Sequence, residues 1–290
     1  MHNEPKSINR LEPEAGRPPG GPGPRIPWNE RREWFRQHWM ELGVAGVPDE
    51  EIRAQFETMP PHYWEKVAAG DFVWGLEVIH RFFHELSQPN GGSSAMVIDW
   101  RETTEKGLFQ VMLSTWDRQG LLAKAAAAFS AVGCGILQAE AYTRSDHVVL
   151  DMFLIRDSAP RPTGRWQEIK FLIEGALSQP PRFASVWACS RHRHLAEPSE
   201  IPVRVLIENQ SGQDWTRVRI EASDRLGLLY DVLQAIADAD LNLCEAVIHT
   251  EGGAASDIFY VTTRDGNKLS DAGVINDLRQ RLNNALTING

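Results

Sequence analysis

A chain of 290 residues has room for about two domains plus extensions. Hydrophobic residues at 42% and charged residues at 24% are ordinary globular proportions, and no apolar run reaches the length of a membrane span. Thirty basic against thirty-nine acidic residues leave a net charge of −9, which excludes the basic footprint that sequence-independent nucleic-acid binding needs.

Residues 1–27 are rich in Pro and Gly and hold few large apolar groups, so a disordered tail is expected. They contain no apolar stretch suited to a signal peptide, and a cytoplasmic location is the expectation. Residues 28–88 read as a helical segment. Trp34, Phe35, Trp39 and Leu42 share a helical face, and Pro48 with the acidic run Asp49, Glu50, Glu51 opens a second helix. Pro60-Pro61 stops that helix, and Phe72, Leu76, Ile79 and Phe83 space a third. The Trp-rich segment (Trp28, Trp34, Trp39, Trp64, Trp74) is expected as core or interface. His80 and His84 lie four apart but show no third ligand, so no metal site is expected. The stretch around Gly92-Ser93 and Asp99-Trp100-Arg101 reads as a linker.

Beyond it the periodicity changes. Strand 108–115, helix 120–132, strands 136–143 and 148–155 and helix 166–177 give the order β-α-β-β-α, one strand short of a ferredoxin-like unit. The same order returns: strand 216–222, helix 227–237, strands 241–250 and 256–263, helix 272–286. Asp117-Arg-Gln-Gly-Leu-Leu122 corresponds to Asp224-Arg-Leu-Gly-Leu-Leu229, and Leu150-Asp-Met-Phe153 to Ser256-Asp-Ile-Phe259, at nearly constant spacing. This is an internal repeat. Between the copies Val203–Ile207 reads as a strand. It is either an edge strand of the second unit or the missing last strand of the first.

In each copy the D-R-x-G-L-L motif joins a strand to a helix. Its glycine admits close approach to the backbone, and the first helical turn offers unpaired N–H groups to an anion. The Asp can cap the helix or accept from an ammonium group, and the paired leucines point into the core. The bland alternative makes Asp117 and Asp224 only caps and the glycines only turn residues. Ser190-Arg-His-Arg-His-Leu reads as a solvated loop rather than a phosphate site. Cys134, Cys189 and Cys244 show no CxxC spacing, and Cys134 and Cys244 are expected as buried small residues.

The repeats resemble ACT domains, the β-α-β-β-α-β modules that commonly bind amino acids at domain interfaces. The run from Ile201 (IPVRVLIENQSGQDWTRVRIEASDRLGLLYDVLQAIADADLNL) resembles the second ACT domain of the bacterial PII-protein uridylyltransferases, and Met59-Pro-Pro-His-Tyr-Trp resembles the stretch before their first. The resemblance implies an α+β fold of two tandem ferredoxin-like ACT domains, at 96–200 and 201–290, after the helical segment and tail. It implies ligand-binding residues at Asp224, Arg225, Leu226, Gly227 and Leu228 with Asn242 nearby, and at Asp117, Arg118, Gln119, Gly120 and Leu121. The family's motif proline is replaced by Gln119 and Leu226, and Gly135 stands where Asn242 stands in the second copy.

The catalytic parts of that family are missing. Its D-x-D carboxylates are reduced to Asp99-Trp100-Arg101, and no His-Asp dipeptide occurs. No catalytic residue, metal or cofactor is therefore expected. The expectation is a non-catalytic sensor of a small amino acid, glutamine by analogy, with a protein partner or a second copy and no nucleic acid or membrane. An interaction scaffold that has lost its ligand, or a degenerate uridylyltransferase-like protein, is the alternative.

Overall fold

The computed structural model describes residues 27–88, 95–105, 107–118, 120–157, 165–178 and 201–287. Most of the N-terminal tail, Gly92-Ser93, Gln119, Cys189 and the basic run after Ser190 lie outside the described residues. Contacts divide the chain into two compact units, Met1–Arg101 with 112–116 and 142–150, and all the rest.

The first unit holds α1 (Trp28–His38), α2 (Asp49–Thr58), α3 (Pro61–Lys66) and α4 (Ala69–Ser87). Pro48 and Pro60 stand in extended conformation just before α2 and α3, where a missing N–H costs nothing. The helices close on an aromatic core. Phe35 and Phe72 approach to 4.8 Å between centroids, and Phe56 stacks on Trp64 at 5.3 Å. Arg31 is buried with them and donates to the Trp64 and Val67 carbonyls, both at 2.7 Å. Arg144 is 1% exposed. It donates to Gln55 Oε1 at 3.1 Å and holds Asp146 with two nitrogens at 3.0 and 2.7 Å.

Eight strands form one antiparallel sheet, ordered β1-β2-β4-β3-β7-β8-β6-β5. They are β1 (Met96–Glu102), β2 (Leu108–Trp116), β3 (Cys134–Thr143), β4 (Val148–Asp157), β5 (Arg204–Asn209), β6 (Thr216–Ser223), β7 (Asn242–Glu251) and β8 (Ala254–Thr262). The helices are α5 (Leu121–Ala131), α6 (Arg165–Ser178), α7 (Leu228–Asp238) and α8 (Ala272–Thr287). Each repeat is therefore β-β-α-β-β-α. The ferredoxin-like order is reached with the outermost position filled by a strand that precedes the unit. β5 settles the open choice: it pairs antiparallel with β6 from Arg204↔Glu221 to Asn209↔Thr216, as an edge strand of the second repeat. β1 is a strand where a linker was expected, because only Met96, Val97 and Ile98 are buried before the charged Asp-Trp-Arg-Glu end.

Alternation in β6 buries Thr216, Val218, Ile220 and Ala222 and leaves Arg217, Arg219 and Glu221 on the other face. Leu228, Leu229, Val232, Leu233 and Ile236 of α7 are buried at helical spacing. Each is worth roughly 1.5–3 kcal/mol of burial. The four alanines Ala125–Ala128 of α5 have no exposure, and α5 packs against α7.

Candidate functional site

The D-R-x-G-L-L turns superimpose in hydrogen bonding as well as sequence. β6 ends at Ser223, and Gly227 precedes α7 with φ +84°; β2 ends at Trp116, and Gly120 precedes α5 with φ +72°. Both glycines are left-handed, which a side chain resists. Leu228 N donates to the Arg225 carbonyl at 3.1 Å and Leu121 N to the Arg118 carbonyl at 3.0 Å. The leucine pairs are buried, with exposures of 3 and 7% in the second copy and 4 and 6% in the first. A Cβ added at Gly120 would meet nothing within 4 Å, so the space beside the first turn is open.

Gly227 and Gly120 themselves hold the cap positions, three residues after Asp224 and Asp117. Asp224 N donates to the Gly253 carbonyl at 2.8 Å, tying the turn to the β7–β8 hairpin. Burial pushes the Asp224 carboxyl up to about 6, against the pull of the Arg225 backbone N–H and guanidinium. Asp257 of β8 is 1% exposed and accepts from His249 N at 3.1 Å. Burial raises it to about 7, against the His249 N–H, and the charge of Asp224 adds to the rise. Two coupled carboxyls thus stand behind the second turn. The repeated Asp of the L-D-M-F and S-D-I-F strands was legible; its coupling to Asp224 was not.

The two turns differ in charge. Arg225 donates to Asp231 Oδ2 at 2.6 Å and to the Ala285 carbonyl at 2.8 Å, so it fastens the turn to α7 and to the end of α8. Lys124 occupies the place of Asp231 in the first copy. Burial lowers its pKa first, and the neighbouring Arg118 lowers it further. The first turn thus carries two cations beside Asp117, whereas in the second Arg225 is neutralised by Asp231.

Asn242 is not near Asp224. β7 starts opposite Thr262, beside the start of β6 at Thr216↔Val261, whereas Ser223 pairs with Ala254 at the far end. About 23 Å of strand separates the two ends. The reason is topological: a strand followed by a returning helix puts the helix start and the next strand's start at opposite ends of the sheet. β3 and β7 pair antiparallel through Gln138↔His249, Ala139↔Ile248 and Glu140↔Val247. Asp157 N donates to the Gly107 carbonyl, so β4 finishes beside the start of β2. Asn242 therefore lies at the sheet end where the first repeat's Asp117–Leu121 turn emerges, and Gly135 at the end of the second repeat's turn. Asn242 is exposed and donates to the Thr263 carbonyl at 3.3 Å.

Other candidates resolve simply. Cys134 is buried as expected, but Cys244 is exposed, at the β7 irregularity between Leu243 and Glu245. His80 pairs with Glu51 at 3.0 Å. Among the described residues no group of three or more His, Cys, Asp or Glu is placed to hold a metal. No described helix is long and apolar enough to cross a membrane.

Residues 211–289 match the model of the ACR family N-terminal ACT domain. The chain is similar to bifunctional uridylyltransferase/uridylyl-removing enzymes. It is 28% identical to that of Azospirillum brasilense over 66% of this chain and 21% of that protein. It is 29% identical to that of Gluconobacter oxydans and 30% to that of Rhodospirillum rubrum, each over 89% of this chain and 27% of that protein. The chain thus spans about a quarter of the length of the curated relatives it matches. Two solved structures, one proposed to be a glycine cleavage system transcriptional repressor and one an unknown protein from Galdieria sulphuraria, are 14% identical. Each covers 62% of this chain, and 90% and 92% of the respective neighbour, with TM-scores of 0.22 and 0.21 that carry no argument. Residues 211–289 are an ACT domain, in a chain that resembles the regulatory region of the bifunctional uridylyltransferase/uridylyl-removing enzymes.

Proposed function

We propose that this protein is a non-catalytic sensor that binds a small amino acid at the two D-R-x-G-L-L turns, with glutamine the first ligand to test. The observation that carries the reading is the duplicated turn. In both copies a left-handed glycine opens a helix whose first N–H groups suit a carboxylate. Strand topology supports a composite arrangement. Asp117, Arg118, Gln119, Gly120 and Leu121 of the first turn would work with Asn242 of the second repeat. Arg118 and Lys124 add cationic charge for the carboxylate there, and Asn242 offers an amide to a ligand side chain. Asp224, Arg225, Leu226, Gly227 and Leu228 would form the second site beside Gly135, with Asp224 receiving the ammonium group. Tandem ACT domains at 96–200 and 201–290, a cytoplasmic setting and a regulated protein partner belong to the same proposal.

The test is a thermal-shift titration of the twenty amino acids. A ligand at a hundred times its Kd stabilises the fold by about 2.7 kcal/mol. Asn242→Ala and Lys124→Ala should weaken binding at the first site, and Asp224→Asn at the second. No shift with any amino acid overturns the sensor reading in favour of an interaction scaffold. Uridylyl transfer to a PII protein by the purified chain, with UTP and magnesium, overturns its non-catalytic half.

A further inference from the structure

Asp224 and Asp257 stand on one face of the second repeat. β6 and β8 pair from Thr216↔Val261 to Ser223↔Ala254, and Asp224 N donates to the Gly253 carbonyl one step beyond. Opposed residues of an antiparallel pair share a face, and every second residue returns to it. Asp224 therefore falls in file with Ala222 and Ile220 on β6, and with Ala255 and Asp257 on β8. This is the buried face: Ile220, Ala222, Ala255 and Asp257 are all 2% exposed or less. The rung between the two acids is Ala222↔Ala255, so no strand side chain longer than a methyl group screens one carboxyl from the other.

The charged groups around the pair are already engaged. On the turn itself Arg225 is held by Asp231 of α7 and by the Ala285 carbonyl of α8. On β7 the His249 backbone N–H donates to Asp257, while the His249 ring meets Glu251 at 3.6 Å. On β6 Glu221 lies on the opposite face, with Arg204. Two full negative charges behind the turn therefore oppose each other, with Arg225 divided between Asp224 and Asp231. The first repeat keeps the buried acid, Asp151 at 2% exposure. There, however, Thr115 and Val149 stand in place of the two alanines, and Arg118 and Lys124 attend the turn.

We propose that Asp257 is a positioning residue of the second turn: it shares a proton with Asp224, and an amino acid that sets its ammonium group on Asp224 drives that proton off. Uptake at the second turn is then proton-linked, and uptake at the first is not. The inference rests on the reading of the second turn as a ligand site. The exchange conserves charge on the face, since one positive charge leaves to solvent as another arrives. Asp257 is too buried to touch the ligand and acts through Asp224. Burial raises the two carboxyls to about 6 and about 7, so the pair gives up its protons across the neutral range. At pH 5 Asp224 is protonated and offers an ammonium group no charge. By pH 7 it is ionised.

Calorimetric titration of the full chain with glutamine at pH 5, 6 and 7, in buffers of unlike ionisation enthalpy, tests it. The affinity should rise about ten-fold from pH 5 to 7, with proton release at pH 6, as one-proton linkage demands. Asp257→Asn keeps an acceptor for the His249 N–H and carries no charge. It should let Asp224 ionise at lower pH and remove most of the rise, whereas loss of a merely structural acid would change affinity equally at all three pH values. Asp224→Asn should abolish the rise altogether. Equal glutamine affinity at pH 5 and 7 in the wild-type chain overturns the inference and leaves the sensor reading standing, and this arm needs no variant. So does a pH profile that Asp257→Asn leaves unchanged in a protein whose melt shows it folded. No uptake of glutamine at any of the three pH values also overturns it; the sensor reading falls with it only if no other amino acid shifts the melt.

Discussion

The Thr216 hydroxyl donates to Asn209 Oδ1 at 2.6 Å and accepts the buried Leu269 backbone N–H at 2.8 Å. Asn209 Nδ2 completes the ring by donating to the Leu269 carbonyl at 2.7 Å. One hydroxyl and one amide thus lock the β5–β6 hairpin to the loop before α8. Thr216→Val keeps the shape and removes the hydroxyl, leaving the Leu269 donor unsatisfied. The expected loss is about 1–3 kcal/mol in urea denaturation, with Thr216→Ser recovering most of it.

The buried carboxyls of Asp224 and Asp257 make stability fall as pH rises. Both are raised above the usual aspartate value, to about 6 and about 7. Between the unfolded value near 4 and those folded values the native state binds more protons than the unfolded chain. Their contribution is therefore most favourable at the acid end and is lost as pH climbs through 6 and 7. Asp257→Asn keeps an acceptor for His249 N–H and removes the charge. At pH 8 it should stabilise the protein by something on the order of a kcal/mol or more, and flatten the dependence between pH 5 and 8. Denaturation midpoints for both proteins at the two pH values decide the matter. A variant no more stable than wild type at pH 8 refutes it.

Arg144 is a buried cation whose partners are Asp146 and Gln55. Arg144→Ala strands the Gln55 amide oxygen and opens a void beneath the hairpin. It should cost about 3 kcal/mol. Arg144→Lys should recover little, because an ammonium cannot reproduce the two-nitrogen grip on Asp146 while reaching Gln55. Chemical denaturation of the three proteins measures the ranking.

Gly120 separates backbone strain from crowding. Its φ is +72° and a Cβ there has nothing within 4 Å. Gly120→Ala should therefore cost about 1–2 kcal/mol, all of it conformational, and Gly120→Asn clearly less. Equal melting temperatures for the two variants would contradict this account.

Much of the fold was legible because helices and half-buried strands announce themselves by period. Trp28 to Ser87 resolved into helices at its prolines, and the repeated motif located both left-handed glycines. β1 was missed because three apolar residues followed by Asp-Trp-Arg-Glu make no alternation, and an edge strand is defined by its neighbour rather than by its own sequence. Cys244 looked buried by residue type, but the register shift between Leu243 and Glu245 turns it outward. Asn242 was placed beside Asp224 on family pattern alone. The information needed to separate them was present, since an eleven-residue helix returns the chain roughly 16 Å along the sheet.

That each repeat takes its outermost strand from the residues ahead of it changes where an independently folding piece can be cut. The ACT match begins at 211, yet β5 runs from Arg204 to Asn209 and supplies the Asn209 that Thr216 holds. A fragment beginning at 211 would expose the backbone donors and acceptors of β6 along its full length, an invitation to edge-to-edge aggregation. A fragment beginning at Ile201, whose N–H reaches the Ser223 hydroxyl at 3.1 Å, keeps that edge sealed.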